Sequence, residues 1–326
     1  MKAWTVTAAA EPSEALELTE MTLPEPDTGQ LVIEVKACGL ALPDVAMCRG
    51  TYRLMPPRPF TPGLDFAGAV IGTGPGTSTP IGTRVMGISA FYLGHGSLAQ
   101  QCLAREGATY AIPDDMDDAT AAAFTIAFQT AYVGLITRGG MREGDWVLVH
   151  GATGGTGAAA LQLAKAKGAH VIATAGNAER VAACLAAGAD IAINYNEGDF
   201  VADVIAATEG NGVDLVYDPV GGEVFERSVE CTAREGRLLP IGSASGRWGV
   251  PACDELTLRN ISVVGVLPSG YPRETMLALH EDLLELHRAG KISASIDHIA
   301  DFAQAPQYLQ AMADREVKGR VVITCG

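Results

Sequence analysis

Apolar residues fall into two textures along the chain. Over residues 1–118 they come in short runs such as "KAWTV", "LVIEVKACGL", "FAGAVIG" and "TRVMGI". Pro- and Gly-rich stretches such as "LMPPRPFTPG" and "GTGPGTSTPIG" separate them. Short β-type runs between turn residues predict an antiparallel, barrel-like β domain with irregular loops. From about residue 119 strands alternate with helices. "DWVLVHG" predicts a first strand, followed by a helix "GAAALQLAKAKG" with Lys165 and Lys167 near its C-terminal end and Gly168 as its cap. "HVIATAG" predicts a second strand, and "NAERVAACLAAG" a helix with Asn177 as N-cap and Gly188 as stop. "IAINY", "VDLVYDPVGG", "GRLLPIGS" and "ISVVGVL" supply four more strands. Six strands with helical crossovers predict an α/β fold with a doubly wound parallel sheet.

A long helix, "RETMLALHEDLLELHRAG", follows Pro268, and the chain ends in another β run. That tail is expected to return to the first domain. The division expected is a substrate-side β domain of residues 1–118 and 268–326, with a dinucleotide-binding domain of residues 119–267 inserted. The cleft between two such domains is the natural ligand site. The apolar run at residues 119–136 approaches the length of a membrane span, but it contains Thr120, Thr125, Gln129 and Thr130 between polar flanks. A buried helix of a cytoplasmic protein without membrane association is the reading it supports.

Charge narrows the partners. The formal net charge of −15 disfavours nucleic acid and anionic membranes, whose binding rests on Lys and Arg. An acidic molecule that takes a phosphorylated ligand needs a local counter-charge. Cys38, Cys48, Cys102, Cys184, Cys231, Cys253 and Cys325 are dispersed without paired spacing, as reduced thiols are. The start of the chain shows no secretory leader pattern.

The glycine-rich turn "HGATGGTG" sits between the first predicted strand and its helix. A Cβ there would hold off a pyrophosphate that must touch backbone N–H groups at the helix N-terminus, so Ala152, Thr153, Gly154, Gly155, Thr156 and Gly157 are candidate cofactor contacts. "IGTGPG" at 71–76 has similar spacing but contains Pro75 and no following helix, and reads as a loop. NAD-preferring sites commonly carry Asp or Glu at the end of the second strand, where this chain has Thr174, Ala175 and Gly176. Arg180, just inside the next helix, can pair with a 2′-phosphate, and Tyr195 can pack on the adenine or bond the same phosphate. NADPH is therefore the expected cofactor. The alternative for Arg180 is that of an exposed helix residue making an i,i+4 pair.

The run from Ala152 to Gln162, preceded by "PGLDFAGAV" and followed by "VDLVYDPVGG", resembles the zinc-independent branch of the medium-chain dehydrogenase/reductases. More narrowly it is similar to their NADPH:quinone oxidoreductase and enoyl reductase group, over essentially the entire chain. The resemblance implies a GroES-like barrel plus a Rossmann domain, and basic and Tyr side chains at Arg180 and Tyr195 on the 2′-phosphate. It also implies a homodimer joined through the last Rossmann strand, near "ISVVGVL". By position it implies cofactor contacts at Thr130, Thr174, Gly176, Gly242, Ser243, Leu267 and Lys318; for Lys318 a plain exposed side chain explains the sequence equally well.

Zinc-dependent relatives carry a G-H-E-x-x-G element, where this chain reads Gly63-Leu64-Asp65-Phe66-Ala67-Gly68, without the His. His95, His150, His170, His280, His287 and His298 form no ligand spacing, and no metal is expected. The segment 38–63 matches the part of the family that faces the nicotinamide. Many relatives have Asn and Tyr where this chain has Ala41 and Ala46, which implies an altered or roomier pocket. Tyr52 is the candidate for positioning substrate or donating a proton; aromatic packing under the Pro-rich loop is the alternative. Asp44 and Arg49 are expected to order that loop as a salt bridge. The function implied is hydride transfer from NADPH to a quinone or α,β-unsaturated carbonyl, whose product enolate needs only hydrogen-bond or charge stabilisation and a proton. The alternatives are an enoyl-thioester reductase and a noncatalytic NADPH-binding protein.

Overall fold

The structure, a computed structural model, describes residues 1–325. It divides into two compact units, Met1–Ile126 with Ala294–Gly326, and Ala127–Ser293.

In the first unit the strand Gln30–Leu40 alternates apolar and polar residues, so Leu31, Ile33, Val35 and Ala37 turn inward. It pairs antiparallel with Asp65–Thr73 on one side and Gln101–Ala111 on the other. Arg84–Ser89 bridges those two, closing a four-strand circuit. Arg320–Thr324 joins the end of Gln30–Leu40, and Ile296–Asp301 pairs parallel beyond it. The C-terminal tail therefore does complete the first unit. Its core gathers Ile33, Phe66, Val70, Val85, Leu98 and Cys102, all essentially inaccessible.

The second unit is a six-stranded, all-parallel sheet in the order Ser262–Val263, Thr232–Pro240, Val213–Asp218, Trp146–Val149, His170–Ala175, Ile191–Asn194. Chain order reverses between Trp146–Val149 and Val213–Asp218, which is where ligands dock on doubly wound sheets, at the carboxyl ends of the strands. The local punctuation matches the expectation. Helix Gly155–Ala166 stops at Gly168 (φ +84°), and Asn177 caps helix Ala178–Ala186 by accepting the Arg180 N–H at 2.9 Å.

Two expectations are corrected. The sixth strand is only Ser262–Val263, and both residues are exposed. Residues 268–293, expected with the barrel, belong to the sheet unit. Helix Arg273–Arg288 buries Met276, Leu279, Leu283 and Leu284, while its Asp282 pairs with Lys167 at 2.7 Å and its His280 meets Gln129 at 3.2 Å. Those contacts are tertiary, and nothing within the segment announces them. Gln162 adds another tie, exchanging two hydrogen bonds with the Ser293 backbone at 2.8 and 3.1 Å. The helical stretch Asp118–Arg138 has the length and apolarity of a membrane span, yet 67% of its most apolar window is buried inside the fold.

Candidate active site

The carboxyl ends of three central strands carry loops that pack on one another. Gly151, with φ +54°, turns the chain off the first strand and lies against Pro219 and Val220 of the loop after Val213–Asp218. Pro219 in turn abuts Gly242, and Gly221 approaches Gly242 and Ser243. The predicted residues Ala152–Gly157, Gly242 and Ser243 are thus brought to one edge. A Cβ at Gly157 would run into the Gly151 carbonyl oxygen, so only glycine lets the helix begin this close to the turn. Gly154 is the N-cap of that helix and supplies no side chain to it. The first-turn N–H groups therefore keep their hydrogen-bonding capacity for an external anion. That cradle fits a dinucleotide diphosphate.

The end of the second strand lies beside it. The Tyr195 N–H donates to the Ala175 carbonyl at 3.2 Å, and the Asn196 side chain donates to the Gly176 carbonyl at 2.7 Å. A Cβ on Gly176 would stand 2.7 Å from the Tyr195 hydroxyl, so the phenol occupies the space that glycine leaves. Arg180 belongs to the first turn of the adjoining helix. Gly176 and Tyr195 thus meet at the strand end, and Arg180 follows in the first turn of the next helix, next to Glu179.

Thr174 is a correction. Its hydroxyl is fully buried and bonds His150 Nδ1 at 2.9 Å, while its carbonyl accepts the Ala152 N–H at 3.2 Å. It braces the glycine loop from behind and presents no side chain to a ligand. His150 Nε2 meets Ser228 Oγ at 2.8 Å, and Ser228 already donates to the Val224 carbonyl, which leaves Ser228 as acceptor and the Nε2 proton on the histidine. Burial holds the imidazole neutral, its pKa lowered to about 3.

Asp218, which sequence reading passed over, closes the loop after the fourth strand. Its buried carboxylate accepts N–H bonds from Val220 at 2.7 Å and Gly221 at 3.0 Å, and burial pushes its pKa up to about 6 against those bonds. The signal was present: an Asp at a strand end, followed by Pro and two glycines, predicts an Asx-type turn. Of the remaining cofactor candidates, Thr130 is half-buried on helix Asp118–Tyr132, and Leu267 is exposed just after the sixth strand. Lys318, in the first unit, is exposed, and its backbone N–H is held by Asp297.

In the first unit, helix Leu42–Cys48 carries Ala46 half-buried and follows the buried Ala41. Tyr52 is half-buried beside Phe91, ring centroids 6.2 Å apart. Burial, and then the nearby Asp44, raises its pKa above the ordinary phenol value. The expected Asp44–Arg49 salt bridge does not form. Arg49 pairs with Glu11 at 2.7 Å on the surface, while Asp44 turns inward. A second buried carboxylate, Asp65, pairs with Arg320 and accepts the Ile126 N–H. Leu64 beside it is buried.

Two family models match the chain: the alcohol dehydrogenase GroES-like domain over residues 27–114, and the zinc-binding dehydrogenase domain over residues 155–282. Quinone oxidoreductase-like protein 2 of Mus musculus is 34% identical over 244 residues, spanning 74% of this chain and 69% of its own length. A solved quinone oxidoreductase from Pseudomonas syringae pv. tomato superposes with a TM-score of 0.92 at 25% identity, covering 99% of each chain. A mycobacterial protein solved in complex with NADPH gives a TM-score of 0.91 at 28% identity, again over 99% of each. With its GroES-like first unit, its Rossmann-type sheet and these matches, the chain belongs to the medium-chain dehydrogenase/reductase superfamily, in its quinone oxidoreductase group.

Proposed function

We propose that this protein is an NADPH-dependent reductase of a small quinone or α,β-unsaturated carbonyl compound, and that it works without zinc. The observation that carries the reading is the acid-free end of the second strand, where Gly176 and Tyr195 meet beside an uncapped glycine cradle and Arg180 follows in the next helix. A 2′-phosphate would meet a carboxylate there in an NAD-type site; here it would meet a guanidinium, worth about 1.5–3 kcal/mol as a charge-assisted hydrogen bond. In a molecule of net charge −15, that local charge is what makes a phosphorylated nucleotide acceptable.

Bound at this edge, NADPH would supply a hydride to an electron-poor carbon. Residues of the sheet unit then bind and orient: first-turn N–H groups after Gly154 take the diphosphate, and Arg180 with Tyr195 takes the adenosine phosphate. In the barrel unit Tyr52 is the side chain we assign to the substrate. Its hydroxyl makes no hydrogen bond with the described residues, which leaves it able to position a carbonyl oxygen. The donor set does not suit zinc. Leu64 stands where a ligating histidine would be, Asp65 is engaged by Arg320, and the described residues contain no grouping of three His, Cys, Asp or Glu side chains that could hold a metal. A second copy of the chain is the partner expected at the sixth strand, a short and exposed edge of the sheet.

Absorbance loss on mixing the protein and NADPH with a quinone, an enone or crotonyl-CoA tests the activity. Oxidation with the first two supports the proposal; preference for the thioester moves the substrate class to enoyl thioesters. A calorimetric titration with NADPH that shows no association removes the reading altogether.

A further inference from the structure

We infer that Asp44 is the positioning residue of the substrate loop, a single buried carboxylate that fastens both ends of the segment bearing Ala41, Ala46 and Tyr52. The inference rests on the reading of that segment as the substrate side. Asp44 is wholly inaccessible. Its Oδ2 accepts the Ala41 N–H at 2.8 Å, where the segment begins, and its Oδ1 accepts the Gly63 N–H at 2.9 Å, where it ends. One half of this is a local helix cap, since Asp44 occupies the third helical position after Ala41. The other half spans nineteen residues and is not needed by any helix. Gly63 is held to the place by its own surroundings: φ is +102°, and a Cβ would stand 2.7 Å from Ser97 Oγ. Its carbonyl is taken by Ser89 Oγ at 2.6 Å and the Ser97 N–H at 2.9 Å. The anchor at the barrel is therefore rigid, and the carboxylate transmits that rigidity to the helix Leu42–Cys48 and onward to Tyr52, whose N–H bonds the Ala46 carbonyl at 3.3 Å.

The fastening depends on charge. Both oxygens accept, and protonation removes the charge and turns one of them into a hydroxyl, a weaker acceptor for the N–H it faces. Burial pushes Asp44 up to about 7; the Ala41 and Gly63 N–H groups and Arg320 pull it down, and Asp65 pushes it further up. Cys38, Cys48 and Tyr52 also face it, with their own pKa values raised by burial and by Asp44, and they stay uncharged near neutrality. Asp44 itself therefore changes charge near neutrality.

Two measurements test the assignment. In steady-state kinetics with saturating NADPH, the acceptor KM of the wild type should rise about tenfold between about pH 8 and about pH 6, tracking the ionised fraction of a group titrating near 7, with kcat changed far less. Asp44→Asn should show the high KM at both pH values. A variant that keeps the wild-type pH profile, or loses thermal stability with KM unmoved, overturns the positioning role. Amide exchange by NMR on the wild type, with no substrate or cofactor present, stays informative if the variant does not fold or the substrate class is wrong. Corrected for intrinsic rates, protection of the Ala41 and Gly63 amides should fall together across the same interval; protection that stays constant overturns the proposal.

Discussion

The two candidate sites solve the problem of placement in opposite ways. On the sheet, the cofactor edge is built from backbone: an uncapped helix N-terminus, a Gly151 with positive φ and a Gly157 too crowded for any side chain. Three of its bracing side chains, His150, Thr174 and Ser228, form a buried hydrogen-bonded row, and one carboxylate, Asp218, holds the neighbouring turn. On the barrel, the candidate substrate segment is long and largely irregular, and an ionisable group, Asp44, holds it through two N–H groups. A helix dipole and aligned N–H groups come free with secondary structure, so the diphosphate cradle of the first site needs little beyond the absence of side chains. An irregular loop has no such repeat, and fixing it takes specific buried acceptors whose desolvation must be offset by the bonds they accept.

The contrast can be broken at its most demanding point by Gly157→Val. A branched side chain there collides with backbone that cannot move, and NADPH affinity should fall more than about a hundredfold by calorimetry, with the barrel unit's amide exchange unaltered. Affinity retained within a few-fold would show that the cradle is not where the diphosphate lies. Next in size, Arg180→Ala should lower the preference for NADPH over NADH about ten- to hundredfold, one charge-assisted contact, leaving NADH kinetics nearly unchanged. Unaltered selectivity would mean that Arg180 serves only its helix.

Acid sharpens the comparison further. His150 and His280 are buried neutral, both with pKa values lowered to about 3 by burial. A base whose folded pKa is depressed contributes stability that is complete above its unfolded value, about 6.5, and is lost as pH falls toward 3, because the unfolded chain binds the proton first. Each histidine should steepen the loss by up to about 1.4 kcal/mol per pH unit below that point, about tenfold in the unfolding equilibrium. Denaturant midpoints measured from neutrality downward should show a shallower decline in His150→Asn than in the wild type; parallel curves would show that His150 titrates normally. The smallest effect belongs to Tyr52→Phe. Loss of one neutral hydrogen bond predicts a rise of about threefold in acceptor KM. No change in KM would assign Tyr52 to packing against Phe91 alone.

Most of the sheet unit was legible before any coordinates. Its strands are apolar runs, its helices carry their own caps at Asn177 and Gly168, and helical crossovers between successive strands call for a parallel sheet. The candidate cofactor edge could be located for the same reason, since Gly154 to Gly157, Gly176 and Arg180 are contiguous with the elements that place them. The barrel's closure was legible only as texture, because strand partners there are set by register between distant segments. Thr174 was misread because its neighbour in space is His150, in the turn after another strand, and sequence position alone assigns it to the ligand. The Arg49–Asp44 pair failed likewise. Residues five apart on a short helix point in different directions, and Glu11 was the nearer surface carboxylate for Arg49.

The sequence by itself determined the local elements, the glycine turn and the missing acid, because each rests on φ/ψ preference, period or charge within a few residues. Only the tertiary structure decided which unit claims Arg273–Arg288, which hydroxyl His150 orients, and that Asp44 joins Ala41 to Gly63. Those outcomes depend on burial. The strength of a carboxylate, an imidazole or an ion pair is set by what surrounds it after folding, and a chain read one residue at a time does not contain its surroundings.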